Sequence, residues 1–435
     1  MTATRNSYET VVFSNGLASL LYTLNCDSKS MDIMLVDRTV ESRSRVRDIE
    51  LYPYELPVFG LSKFKVNYRG FKSIFSELDA PLGVVFGASR FEYFKTCIKD
   101  EIKREFPDCQ NEFMSFLEDI LAMDSKPKKL FDLSGSSKKD INYFYEKHKL
   151  PLKVRAILDS IIFMFSGVKD RNFPAAKAIR ILASALNGVS IPKDGVYSLR
   201  SEILRGLPKS IEIENNSSEV CVSKRSKRFN IVFSNNKDEV TANFAVSDCD
   251  QTKAQFIKDF HDLKSDQSAQ VLYPYSIYVK IPVEAVPGCM NRWTLLVDTD
   301  RSSLLNYDDV YAVRMFINGR SAIIRVTTFV SYGAFEIDNS IHRNKASKMY
   351  DALKKMIPVA DKFEPEIYPD FNSDEFETEL YQLFDNIGQG DVVYTGIPVK
   401  IKNDKECNGV FCCGREGDPY MGFEGMMNNS MRELQ

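Results

Sequence analysis

Residues 8–37 constrain this chain more than any other stretch. Tyr8 to Phe13 (YETVVF) is a short run of β-branched and aromatic residues, the pattern of a buried strand. Ser14-Asn15-Gly16 is turn chemistry. Leu17 to Asn25 (LASLLYTLN) holds neither glycine nor proline and reads as a helix. Ile33 to Val36 (IMLV) is a second apolar strand, closed by Asp37 and Arg38. Strand, turn, helix and strand within about 30 residues is the size of one βαβ unit.

Such a unit binds a dinucleotide through three glycines, G-x-G-x-x-G. The first makes the tight turn, the second lets the backbone approach the pyrophosphate, and the third packs helix on strand. Here the stretch is Ser14-Asn15-Gly16-Leu17-Ala18-Ser19. Only the middle glycine is kept, the one closest to a phosphate, and the N–H groups of the helix start would still face an anion. Asp37 follows Gly16 by 21 residues. That matches the ~20-residue spacing of the acid that holds a ribose hydroxyl. The competing reading of the same residues is an ordinary βα turn with an exposed aspartate.

Composition removes several other classes. At roughly 150 residues per domain, 435 residues predict two or three domains. Lys and Arg number 57 against 60 Asp and Glu, so the concentrated basic face of a nucleic-acid binder is not expected. Thirty Phe and 20 Tyr are too many for a solvated, disordered chain. No apolar run approaches the ~20 residues of a membrane span. The start, Met-Thr-Ala-Thr-Arg-Asn, lacks the pattern of a signal peptide, so a cytoplasmic location is expected. Nine scattered cysteines without a C-x-x-C pair predict reduced thiols. Three isolated histidines (His148, His261, His342) argue against a zinc site or a nucleophile–His–acid triad.

Further along, Leu82 to Phe86 is a short apolar run. Helical periodicity is read from Ser89 to Met123, broken at Pro107, with Phe91, Phe94, Ile98 and Ile102 on one face. Residues 124–139 read as a polar loop. Helices follow at Asp140–Lys149, Leu152–Phe165 and Pro174–Leu186, then a turn at Ile191–Gly195 and a short helix at Leu199–Leu204. Strands are expected at Val220–Ser223, Phe229–Ser234 and Val240–Val246, and again through most of 270–335. Met349–Met356 and Glu375–Ile387 read as helices, the second with Asn372 and Glu375 at capping-box spacing. The basic run Lys224–Arg228 reads as a solvated hairpin tip. Cys412-Cys413 reads as a buried strand end in preference to a redox pair. Aromatics at 273, 275, 278, 311, 316, 329, 332 and 335 permit an apolar ligand, although half-buried strands use the same residues.

The tail runs Val410-Phe411-Cys412-Cys413-Gly414-Arg415-Glu416, then Gly422-Phe423-Glu424-Gly425-Met426-Met427: a strand entering a turn that opens a helix. With the N-terminal unit it resembles the FAD-binding amine oxidase and phytoene desaturase superfamily. Tyr93–Leu117 looks like that family's helix, Phe-Pro, helix passage, and Ile191–Leu199 resembles its Pro-Lys-Gly-Gly…Leu segment. The resemblance runs in order from Tyr8 to Arg432 and matches least over 250–400. It implies a Rossmann-type α/β nucleotide domain with an inserted α+β substrate domain. The first would comprise 1–75, 190–250 and 400–435, the second 76–189 and 251–399. It also implies non-covalent FAD, with Ser14, Gly16, Leu17, Ala18 and Ser19 at the pyrophosphate and Asp37 and Arg38 at the ribose. By the same resemblance Val220 faces the adenine. Gly414, Arg415 and Glu416 match the family's Gly-acid segment, and Gly422, Phe423 and Glu424 its helix start over the flavin ring.

The chain departs from the family at Val40–Val46, where an Arg and a Gly-Gly pair are missing, and at Ser14 and Ser19. Two functions are therefore expected of this fold. The first is an FAD-dependent oxidoreductase (desaturase, oxidase or isomerase) acting on an apolar or amine-bearing small molecule. The second is a flavin-free binding protein similar to Rab GDP-dissociation inhibitors, which the eroded glycines favour. A NAD-dependent dehydrogenase would leave the tail without a role. A protein partner or a homo-oligomer is compatible with either function, and no catalytic residue follows from the sequence.

Overall fold

In the computed structural model, the residues described are 7–14, 16–26, 32–37, 45–46, 49–59, 75–125, 140–193, 195–215, 220–225, 228–233, 239–247, 270–298, 307–331, 339–358, 360–385, 391, 393–395, 410–413 and 419–430. The N-terminal unit forms as its pattern predicts. Strand Ser7–Ser14 leads through Gly16 into helix Leu17–Cys26 and returns as strand Ile33–Asp37. The two strands pair in parallel, Thr10 opposite Ile33 and Ser14 opposite Asp37. Val11–Phe13 and Ile33–Val36 are apolar because both faces are covered there. Val12, Ile33 and Leu35 pack on Leu17, Leu20, Leu21 and Leu24 of the helix. Val11, Phe13, Met34 and Val36 meet Phe229, Ile231 and Val240 on the opposite face.

Around this unit the first sheet runs in the order Glu212–Asn215, Ile33–Asp37, Ser7–Ser14, Glu239–Ser247, Arg228–Phe233, Val220–Arg225. The first four strands are parallel and the last two complete an antiparallel meander. Glu239–Ala242 pairs with that meander, whereas Ala245–Ser247 pairs in parallel with Val410–Cys412. The tail strand thus continues the sheet where the meander leaves it.

The second sheet has nine strands. Its main path runs Ser89–Tyr93, Leu82–Phe86, Trp293–Val297, Val310–Asn318, Ser321–Ser331, Gln270–Pro282, Val393–Thr395, Val168–Lys169, and Glu366–Tyr368 also pairs with Gln270–Pro282. Alternation along its long strands serves two cores. Tyr275, Tyr311, Val313, Ile324 and Val326 pack on helix Asn339–Met356 through Ala346, Met349 and Leu353. Trp293, Leu295, Ala312 and Phe329 meet the helical layer of Gln110–Asp124, Leu152–Ser166 and Ala175–Ala185. A three-stranded sheet of Val58–Phe59, Val189–Pro192 and Phe75–Ala80 lies between the two halves in sequence and pairs segments from both. The architecture is the α/β one expected, a Rossmann-type sheet with a second, α+β part.

Local expectations differ at four places. Ser89–Tyr93 is a strand, because Gly87 at φ 57° turns it back on Leu82–Phe86 and buries Phe91 and Tyr93; the helix starts at Ile98. Val189–Pro192 is a strand and Gly195 already opens helix Gly195–Gly206, so Ile191–Gly195 is not simply a turn. Helix Asn339–Met356 begins well before Met349, through a polar segment that buries His342 and Ala346. Asn372 and Glu375 form no capping box: the Glu375 N–H donates to Ser373 Oγ at 3.1 Å, and the helix is Phe376–Asp385.

Candidate nucleotide site

The end of strand Ser7–Ser14 and the start of the first helix form the centre of the candidate site. The first N–H groups of a helix have no partner within it and carry partial positive charge. No acidic side chain occupies the first turn of this helix, so nothing within it opposes an anion there. The two serines that replace glycines turn inward. Ser14 Oγ and Ser19 Oγ both donate to the Gly16 carbonyl, at 3.2 and 3.1 Å, and brace the loop. Both serines, with Leu17 and Ala18, are buried, and Gly16 is half-buried.

Asp37 ends its strand level with Ser14, as the register requires. Its carboxylate is buried and paired with the buried guanidinium of Arg200, carried by helix Gly195–Gly206. The sequence offered no signal for Arg200, since no local spacing links residues 163 apart.

The tail returns to this unit. Cys413 and Phe423 share one buried cluster with Leu17, Ala18 and Leu21 of the first helix. Cys413 is buried and in no disulfide, as a strand-end reading requires. Burial pushes the neighbouring Tyr22 phenol well above its ordinary range, and the Cys26 and Cys413 thiols add to it. Helix Gly422–Ser430 starts at Gly422 with φ +51°, and a Cβ there would stand 1.9 Å from the Phe165 carbonyl oxygen. Only glycine meets both conditions. Glu424 is 2% exposed and ion-paired with Arg180 of helix Ala175–Ala185, which ties the tail to the helical layer.

Of the remaining predicted residues only Val220 is described. It opens the outer strand of the meander, with Glu239–Ser247 and Arg228–Phe233 between it and Ser7–Ser14. Arg38, Gly414, Arg415 and Glu416 fall outside the described residues. The aromatics proposed for a ligand cavity are divided between cores: Tyr275 and Tyr311 face helix Asn339–Met356, Tyr278 and Phe316 form a cluster with Tyr52, and Phe329 joins the helical layer. Residues 332 and 335 are not among those described.

No protein-family model matches the chain, and no curated protein matches it in sequence. Solved structures do. A putrescine oxidase superposes with a TM-score of 0.60 at 10% identity, covering 98% of both chains. Cyclohexylamine oxidase from Brevibacterium oxydans IH-35A gives 0.59 at 10% identity, over 98% of this chain and 97% of its own. A Rab GDI from Plasmodium falciparum gives 0.51 at 11% identity, over 89% of this chain and 99% of its own. From end to end, the chain has the amine oxidase fold.

Proposed function

We propose that the protein binds FAD non-covalently and is an oxidoreductase of amine oxidase type, acting on an apolar or amine-bearing small molecule. The observation that carries this reading is the convergence of both chain ends: Leu17 and Ala18 of the first helix start share a cluster with Phe423 of the last. One glycine-initiated helix start suits the pyrophosphate and a second suits the ring end of the same ligand. The residues at both ends of the site fit such a ligand. At the phosphate end Gly16 leaves room for the backbone to approach an anion, and the side chains of Ser14 and Ser19 are turned onto the loop itself. At the ribose end a carboxylate stands at the strand terminus, held there by Arg200.

In this reading Gly16, Leu17, Ala18 and Ser19 bind the pyrophosphate through backbone N–H groups, with Ser14 bracing the turn. Asp37 and Arg38 hold the ribose, and Val220 flanks the adenine. Gly414, Arg415 and Glu416 approach the ribityl chain, while Gly422, Phe423 and Glu424 position the helix start at the ring. Bound flavin would supply the hydride acceptor; the chain orients it and keeps water from it.

The second reading, a flavin-free binding protein, is favoured by one observation: the carboxylate that would serve the ribose already accepts from Arg200. Titrating the purified protein with FAD and following flavin fluorescence separates the two. Saturable binding with retained yellow colour after desalting supports the oxidoreductase. A protein that stays colourless in excess FAD sinks it and leaves the binding protein.

A further inference from the structure

The second sheet carries a row of side chains that the nucleotide site does not use. Trp293, Arg314, Arg325 and Tyr278 stand opposite one another on four adjacent strands. Directly opposed residues share a face, and like charges so placed repel. Yet Arg314 and Arg325 are 1% and 0% exposed. Among the described residues one buried carboxylate, Glu55, stands with them, its Oε2 3.1 Å from Arg325 Nη1 and its Oε1 3.7 Å from Arg314 Nε. Arg325 also donates to the carbonyls of Tyr52 and Pro53. Arg314 donates through Nη2 to the Pro192 carbonyl at 3.0 Å, and among the described residues its Nε and Nη1 have no hydrogen-bond partner.

Rings of Trp293 and Phe316 flank the Arg314 guanidinium at 5.5 and 4.9 Å, which offsets part of its desolvation. Burial lowers its pKa to about 10, Glu55 opposing and Arg325 and Arg292 adding to the shift, so it stays protonated at neutral pH. A buried, protonated and under-bonded guanidinium is costly unless an anion completes it. Arg314 lines a cavity of about 220 Å³, together with Lys193, Arg292, Ser76 and Glu50. Glu50 accepts from the Tyr52 hydroxyl at 2.8 Å, and Arg292 reaches Glu77 at 2.9 Å. Among the described residues, the cavity wall therefore presents three cations and one carboxylate.

We propose that this cavity binds a small oxyanion, the carboxylate or phosphate group of a small molecule, on Arg314 with Arg292 and Lys193 beside it. None of these residues belongs to the candidate nucleotide site, so the proposal holds whether or not flavin binds.

The test uses the full chain without added flavin. Its melting temperature is followed against sodium acetate, inorganic phosphate and sodium chloride at matched ionic strength, and calorimetry measures affinity. A saturable rise with acetate identifies a carboxylate site and one with phosphate a phosphoryl site. Arg314→Met removes the rise. Arg292→Gln alters a half-exposed side chain and weakens binding about tenfold, the loss of one charged hydrogen bond. It keeps the test decisive should Arg314→Met not fold. No saturable rise beyond chloride with either anion, or a rise unchanged in Arg292→Gln, overturns the proposal.

Discussion

Arg200 and Asp37 form a buried ion pair that fastens helix Gly195–Gly206 to the end of the second strand of the N-terminal unit. The aspartate that spacing marks for a ribose therefore has a structural partner as well. Removing one member of a buried pair leaves the other charge uncompensated. Arg200→Ala should cost about 3–5 kcal/mol in denaturant unfolding, and Arg200→Met with Asp37→Leu should recover most of it. A loss below about 1 kcal/mol for the single variant would mean that water reaches the pair and screens it.

The same aspartate should matter for flavin. Asp37→Asn retains the shape and loses the charge, which should weaken FAD binding roughly ten- to a hundredfold. Equal affinity in a fluorescence titration would assign Asp37 to Arg200 alone.

Gly16 is the one glycine kept where a pyrophosphate would approach. Gly16→Val should fold yet lose FAD affinity by at least about a hundredfold, because a branched side chain stands where the phosphate must sit. Retained binding in equilibrium dialysis would place the cofactor elsewhere.

Gly422 combines a left-handed φ of +51° with a Cβ position 1.9 Å from the Phe165 carbonyl oxygen. Gly422→Ala should therefore destabilise the protein by about 2–4 kcal/mol, backbone strain and steric overlap acting together. Thermal unfolding checks it. A change within about 0.5 kcal/mol, the range of ordinary surface substitutions, would show that the tail helix is not seated on helix Leu152–Ser166.

Asp159 offers a pH prediction. Burial pushes its carboxyl up to about 6, partly offset by the Tyr145 hydroxyl, which donates to Oδ1 at 2.7 Å, and by Arg155. A pKa raised in the folded state gives stability that is complete below the unfolded value near 4 and is lost as pH rises through about 6. Asp159→Asn, which keeps the acceptor and removes the charge, should stabilise the protein by about 1–3 kcal/mol at pH above 7 and hardly at all near pH 4. Equal effects at both pH values would refute the shift.

The N-terminal unit was legible because its determinants are local. Val11–Phe13 and Ile33–Val36 are apolar on both faces, so these segments read as buried strands before any partner is known. The long strands of the second sheet and helices Leu152–Ser166 and Ala175–Ala185 were legible for the same reason. Ser89–Tyr93 was misread because Phe91, Phe94 and Ile98 fit a helical spacing by chance; pairing with Leu82–Phe86 decided the outcome.

Sequence alone determined which segments are strands and helices where periodicity is strong, and it marked Gly16, Asp37 and Gly422 as special. It determined the fold as well, through the order of weak motifs from Tyr8 to the tail. Only the tertiary structure decided the partners: Arg200 on Asp37, Arg180 on Glu424, Phe165 against Gly422, and Arg314 opposite Arg325. The reason is physical. A propensity or a period acts over a few residues, whereas an ion pair or a close approach depends on where distant segments meet once apolar faces are buried. Arg200 and Arg314 carry no signal in the sequence, and burial turned each into a group that needs an anion.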